Sequence, residues 1–355
     1  MTELARPASL KPRPLAALRR PGALPLTLAV LLATVVLATA VGPADIGPDV
    51  ALRVIAGRIT GLDLDVSASA QAIVWEIRLP RVLLAGLVGA ILACSGAAYQ
   101  GVFRNPLADP YLLGVASGAG LAGVLAIVLD LPLTVGGFSL LPVVAFMGSM
   151  TAVALAYSIA RVGGQTPAST MILAGISISS IAVAGISYLM ILNQENTSLI
   201  LSWLLGSFNG SGWHDFGYVL PYALPALAVV FLHGRLLNVL QVDDAQAGQL
   251  GVNVELTRAA IVIAASLAAA AAVSVSGTIG FVGLIAPHAV RLLIGPDYRR
   301  LLPVVALVGA SFVILADLGA RTLVSPGELP VGVITALAGA PFFLYLLRRQ
   351  RKAFF

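Results

Sequence analysis

The chain has 355 residues, of which 59% are hydrophobic and only 10% charged, with a formal net charge of +5 and a mean hydropathy of +0.97. A soluble domain carries roughly 25% charged residues, so this composition cannot clothe a soluble surface. A single cysteine, Cys94, in an apolar run excludes an intrachain disulfide and suits packing; the basic residues sit in short clusters between apolar runs, so the positive charge needs no nucleic acid to explain it.

The apolar runs are about 18 to 25 residues long, enough for a helix to cross a hydrocarbon core about 30 Å thick. They do not alternate in and out, which excludes a transmembrane barrel. In chain order they predict an all-α, polytopic helical bundle with about ten spans, near 24–42, 80–102, 112–129, 141–161, 169–192, 216–234, 259–276, 279–294, 301–320 and 330–347. A basic arm (1–23) precedes this membrane domain (24–347), and a basic tail (348–355) follows it. With an even number of spans, 16 of the 21 Lys and Arg residues fall on the side of the two termini, leaving Arg53, Arg58, Arg78, Arg81 and Arg321 on the other. The positive-inside rule therefore puts both termini in the cytoplasm.

The first run, with its basic arm and Ala38-Thr39-Ala40, has the form of a signal peptide, but it is long for one and reads as an uncleaved span. Cleavage would leave nine spans with the C-terminus still inside. Next, VWEIRLPR (74–81) sets Arg78 and Arg81 three residues apart around Pro80 at the outer mouth, with Arg321 as a third outer arginine. Local pairing is open to them, since Asp317 lies one helical turn before Arg321 and Glu76 lies near Arg78. At the cytoplasmic end of the second span, Asn105-Pro106 and Asp109-Pro110 each disfavour helix at the preceding residue and predict a turn or short broken helix. Irregular backbone at membrane depth survives only under protein or along a water-filled path, which makes a hinge or inner gate of this turn.

Further along, Trp203 and Trp213 suit an interfacial aromatic belt, and Phe208-Asn209-Gly210 a turn. The longest polar cytoplasmic stretch in the body, 238–258, reads as short helical pieces broken at Gly248 and Gly251, and Leu250 with Val252 could form a small exposed apolar face. In GFVGLIAPHAVR (280–291), His288 reads as a packing histidine, while Arg291, Arg299 and Arg300 hold the cytoplasmic boundary and could face a partner. The 36 glycines suit close helix packing in lipid. A weak echo between SGAAYQGVFRNPLADPYLLG and SGTIGFVGLIAPHAVRLLIG suggests an inverted internal repeat.

What the chain lacks is equally informative. No lysine lies between Lys11 and Lys352, so a phosphate-binding loop ending in Gly-Lys is impossible in the body of the protein. His214, His233 and His288 are scattered and, with one cysteine, offer no metal-ligand spacing. Nearly every charge falls near a predicted span end, which argues against an ion-coupled carrier and against an intramembrane enzyme or sensor.

VWEIRLPR, SGAAYQGVFRNPLADPYLLGVASGAG (95–120), GTIGFVGLIAPHAVRLLIGPDYRRLLP (277–303) and LADLGARTLVSPGELPVGVITALAGAPFFLYLL (315–347), with the Gln249-Leu250-Gly251 neighbourhood, cover most of the chain in order. As a set they resemble the FecCD-type permeases, membrane-spanning subunits of ATP-binding-cassette importers for iron-siderophores, cobalamin or haem. The resemblance implies that Arg78, Arg81 and Arg321 receive carboxylates of an extracytoplasmic binding protein. It implies a cytoplasmic gate of Asn105, Pro106 and Leu107 faced by Pro167, Ala168 and Ser169 in the loop GGQTPAS (163–169). It implies ATPase coupling through Ala247, Gln249, Leu250, Gly251 and Val252.

The partners implied are a second permease copy, two ATP-binding subunits carrying ATP and magnesium, and the binding protein, in a bacterial cytoplasmic (inner) membrane. The permease itself would bind no cofactor and catalyse no reaction. An iron-siderophore is the expected cargo, with cobalamin or haem as alternatives; relatives also handle oxyanions. The rival reading is an ion-coupled secondary transporter.

Overall fold

A computed structural model describes residues 22–354 apart from 43, 45, 63, 132–133, 136–137, 162–165, 243 and 325–326. Most of the basic arm, and residues 163–165 of the expected gate loop, therefore lie outside the described residues. The helices, in chain order, are α1 (Ala23–Ala40), α2 (Pro48–Thr60), α3 (Ala68–Ala72), α4 (Leu79–Phe103), α5 (Val115–Val128), α6 (Leu141–Ala160), α7 (Ala168–Leu192), α8 (Thr197–Leu204), α9 (Trp213–Leu232), α10 (Gly234–Val239), α11 (Asp244–Gln249), α12 (Val254–Ser276), α13 (Val282–Ile294), α14 (Tyr298–Thr322) and α15 (Val331–Phe354). A short antiparallel pairing of Thr134–Val135 with Phe138–Ser139 precedes α6.

Seven described helices are long and apolar enough to cross a membrane, and α5, α13 and the apolar part of α15 (Val331–Tyr345) are shorter apolar helices. Together they fall on the ten runs of the sequence. The short ones differ from expectation at their ends. A fourteen-residue helix such as α5 rises only about 21 Å, less than a hydrocarbon core. The rest of its run is a 3-10 turn, Pro110–Leu113, and α13 begins only after the non-helical stretch that follows Ser276. These two irregular stretches meet. The Tyr111 hydroxyl donates to Ile279 O (3.0 Å) and accepts from Ile279 N (3.2 Å), so the backbone freed from helical bonding is satisfied by protein.

The core is built around α4. This helix is continuous with α3 through a wide π turn, Ile73–Arg78, in which Leu79 N bonds Val74 O, and the turn ends just before Pro80, whose nitrogen has no hydrogen to donate. From Val82 to Phe103 the helix is buried almost throughout, packed on α14, α12 and α13. Small residues make this approach feasible. A Cβ on Gly89 would stand 2.3 Å from Gly309 O, and one on Gly96 would stand 2.1 Å from Gly283 O. Lipid gives helices no hydrophobic reason to associate, so such backbone proximity supplies the van der Waals contact instead. Cys94 is fully buried in this core, as expected of a packing cysteine.

Candidate functional site

At the end of the bundle expected to face outward, the three arginines expected to act together do come together, around the C-terminus of α1. A helix end leaves four carbonyls without intrahelical donors, and here buried guanidiniums serve three of them, while Leu37 O accepts from Val41 N. Arg78, 5% exposed, donates Nη1 to Thr39 O (3.2 Å) and Ala40 O (2.5 Å) and Nη2 to Ala44 O (2.5 Å). Arg321, also 5% exposed, donates Nη1 to Val41 O (2.9 Å) and Nη2 to Ala38 O. Ala38, Thr39 and Ala40, the segment with cleavage-site character, are buried in this arrangement.

Arg81 is placed differently. Its Nε and Nη2 grip the buried Asp317 (2.8 to 3.1 Å), and its Nη1 and Nη2 take both carboxylate oxygens of Glu328 (3.1 and 3.0 Å). The local alternative raised by the sequence, Asp317 with Arg321, exists at 3.5 Å, but the stronger partner of Asp317 is Arg81, 236 residues earlier in the chain. Glu328 carried no sequence signal; it is a lone acid in a Pro/Gly-containing connection. Beside this cluster lies a cavity of about 680 Å³ bordered by Glu76, Arg78, Arg81, Trp213, Arg321 and Glu328. Trp213 belongs to its wall more than to a lipid belt: Nε1 donates to Trp75 O (2.9 Å), and the two indoles lie 5.3 Å apart.

At the opposite end, expected to be cytoplasmic, α4 stops at Arg104, which adopts a left-handed conformation (φ 50°). Asn105 Oδ1 then accepts from Leu107 N (2.9 Å), fixing the turn expected at Asn105-Pro106 and leaving Leu107 59% exposed. Of the facing element, Pro167 and Ser169 are exposed and Ala168 is half-buried at the start of α7. The polar stretch 238–258 forms α11 between two turns. Ala247 is fully buried and anchors it, Gly251 closes it at φ 80°, and Gln249, Gly251 and Leu250, the last 68% exposed, project from it with Val252 half-buried.

A network that no motif announced joins these parts. Asp244, the first residue of α11, accepts from Arg104 Nη2 and from Arg258 Nη2 (3.1 and 3.3 Å). Arg104 Nε also donates to Leu240 O (2.8 Å). Arg258 lies 3.8 Å from Glu255, whose Oε1 accepts from the backbone N (3.0 Å) and hydroxyl of Thr166, next to Pro167. The two expected gate elements are thus tied to α11 through charges. Arg291, expected at the boundary and open to facing a partner, is half-buried and donates to Gln100 Oε1 (3.0 Å) and Tyr298 Oη (3.4 Å), whereas Arg299 and Arg300 are exposed. His288 packs edge-on against Phe342 and Phe343, with its buried Nε2 left without a hydrogen-bond partner among the described residues. Among the described residues no His, Cys, Asp and Glu group could hold a metal ion.

Comparison with known proteins places this architecture. Residues 30–349 match the FecCD transport family. The chain is 46% identical to the cobalamin import system permease protein BtuC of Halobacterium salinarum over 81% of this chain and 76% of that one. It is 43% identical to the hemin transport system permease protein HmuU of Yersinia pestis over 79% of this chain and 84% of that one. A solved structure described as an inward-facing metal-chelate type ABC transporter superposes with a TM-score of 0.79 at 32% identity, over 93% of this chain and 99% of that one.

Proposed function

The chain belongs to the FecCD transport family, and from that premise we propose how it works as the membrane-spanning permease subunit of an ATP-binding-cassette importer. Its cargo is a metal chelate, of which an iron-siderophore is the first choice; relatives named for cobalamin and hemin keep those two as the alternatives. The chain itself carries out no reaction. Two copies flank the pathway in a bacterial cytoplasmic membrane with both termini inside, and an extracytoplasmic binding protein delivers the chelate to the outer arginine cluster. Separate ATP-binding subunits, with ATP and magnesium, dock on the cytoplasmic side.

The observation that carries this reading is α11. It is a short helix anchored by buried Ala247 that projects an exposed Leu250 from a polar loop, the small apolar knob that helix-in-groove docking requires. Asp244 at its start is bonded to Arg104 and Arg258, and through Glu255 the network reaches Thr166. A displacement of α11 by a partner therefore acts on the Asn105–Leu107 turn and on the start of α7 together. Transport follows as a population shift between two packings, biased by the partner's nucleotide state.

Reconstitution tests it. With the ATP-binding subunit and binding protein in liposomes, ferric siderophore, cobalamin and haem compete for uptake, and one of them should both enter and stimulate ATP hydrolysis. Uptake by the permease alone under an ion gradient, without ATP, would reject the reading in favour of a secondary transporter.

A further inference from the structure

Of the three outer arginines, only one holds a ligand that an incoming carboxylate can replace. The donors of Arg78 and the Nη atoms of Arg321 serve main-chain carbonyls at the end of α1 and in the segment just after it, through Ala44, and withdrawing them would orphan those acceptors. On Arg81, Asp317 is 1% exposed and fixed, but Glu328 is 31% exposed and lies at the edge of the outer cavity. We propose that Glu328 is a built-in surrogate ligand, and that docking of the binding protein proceeds by exchange, an acidic side chain of that partner replacing Glu328 on Nη1 and Nη2 of Arg81. This rests on the docking role proposed above for the outer cluster.

Three features favour exchange over simple addition. The contact has the fork geometry that a free carboxylate would adopt, two parallel N–H···O bonds at 3.1 and 3.0 Å, so the partner can reproduce what it displaces. The backbone beside Glu328 is pinned: Leu329 N bonds Ala320 O (2.9 Å), Val331 N bonds Gly206 O (2.9 Å) and Gly332 N bonds Leu205 O (3.0 Å). Release therefore needs only a side-chain rotation and no loop opening. The adjoining cavity of about 680 Å³ gives the displaced carboxylate and the incoming one room to pass.

The charge count explains what a surrogate achieves. Arg78, Arg81 and Arg321 face Asp317, Glu328 and Glu76 in and around this cavity. With Glu328 in place the cluster is formally neutral and does not capture acidic molecules indiscriminately. A partner that presents a carboxylate in the right register keeps the Arg81 fork paired while Glu328 turns out to solvent, and one that does not leaves Glu328 where it is. Specificity is set by competition with an internal ligand, a form of design against wrong partners.

The test uses the full-length permease in lipid nanodiscs and the binding protein whose addition raises ATP hydrolysis of the wild-type complex. Glu328→Gln should tighten binding of that protein by about tenfold, the size of one charge-assisted contact no longer opposed. Glu328→Asp, which keeps the charge on a shorter arm, should tighten it less. Arg81→Gln, combined with Asp317→Asn so that no buried acid is stranded, should abolish the tightening and weaken binding itself. If Arg81→Gln/Asp317→Asn weakens binding while Glu328→Gln leaves it unchanged or weaker, the exchange is wrong and docking at Arg81 stands. If none of the variants alters binding, both the exchange and the docking role of Arg81 are rejected.

Discussion

Arg78 illustrates how a charge that looks available in a sequence is spent in the fold. Its guanidinium closes two carbonyls at the end of α1, Thr39 and Ala40, and that of Ala44 beyond it, from a position 5% exposed. Arg78→Ala would leave those acceptors buried, and each unsatisfied group costs about 1 to 3 kcal/mol, partly recovered where water enters. A net loss of about 3 kcal/mol is expected in the unfolding free energy of the detergent-solubilised permease. A loss under about 1 kcal/mol, within the range of an exposed charge, would show that the carbonyls are capped by something else. The sequence brings Arg78, Arg81 and Arg321 to one mouth through charge bias and motif, but it does not reveal which donor meets which acceptor. Those acceptors are main-chain carbonyls, which every residue carries alike, and Glu328 lies 247 residues from Arg81.

Elements show a similar division. The ten apolar runs were legible because helix in lipid is the forced answer to continuous hydrophobicity. The truncation of α5 and α13 was not, because an irregular turn satisfied by Tyr111 depends on a neighbour far away in sequence. Gly309 lets this be measured. Glycine to alanine in an open helix gains roughly 1 kcal/mol of propensity. At Gly309, however, a Cβ would sit 2.4 Å from the Ala93 Cβ and 2.5 Å from Gly89 O, both on α4. Neither neighbour is a flexible side-chain tip, so overpacking of about 1 to 3 kcal/mol wins and Gly309→Ala should destabilise the protein. The control is Gly217→Ala on α9, where nothing lies within 4 Å, and it should be neutral or stabilising.

The same scale holds the network around Asp244. Asp244→Asn keeps the side-chain shape but withdraws the charge shared by Arg104 and Arg258. In the reconstituted importer, ATP hydrolysis should persist while cargo moved per ATP falls by roughly fivefold or more, the lower end of a typical coupling free energy. Equal losses in hydrolysis and transport would mean that Asp244 serves only to seat the ATP-binding subunit. The distinction matters because α11 was legible from sequence as a polar loop with a small apolar face, whereas its ties to Arg104 and Thr166 were not.

At the scale of the whole molecule, one helix is conspicuously uncovered. α7 spans 25 residues, yet only 11% of its apolar window is buried within the chain. Lipid alone could cover it, but a groove of about 610 Å³ on its flank is bordered by Asp109, Tyr111, Ser179 and Ser180. The hydroxyls of Tyr111, Ser179 and Ser180 are bonded within the chain, but the Asp109 carboxylate on this groove is costly against hydrocarbon and favours water or another protein surface. In the proposed two-copy arrangement, the face of α7 that carries Ser180 would turn to the pathway and the face carrying Ile181 to lipid. Cys94 is fully buried, so a single introduced thiol reports cleanly. A cysteine at Ser180, which is exposed, should react with a hydrophilic thiol reagent in the assembled permease, and cargo in transit should slow that reaction. A cysteine that replaces Ile181, 71% exposed but one residue round the helix, should react at least several-fold more slowly if lipid covers it. Equal reactivity at both positions would place the whole helix in water, and reversed reactivity would put the pathway on the other side of α7.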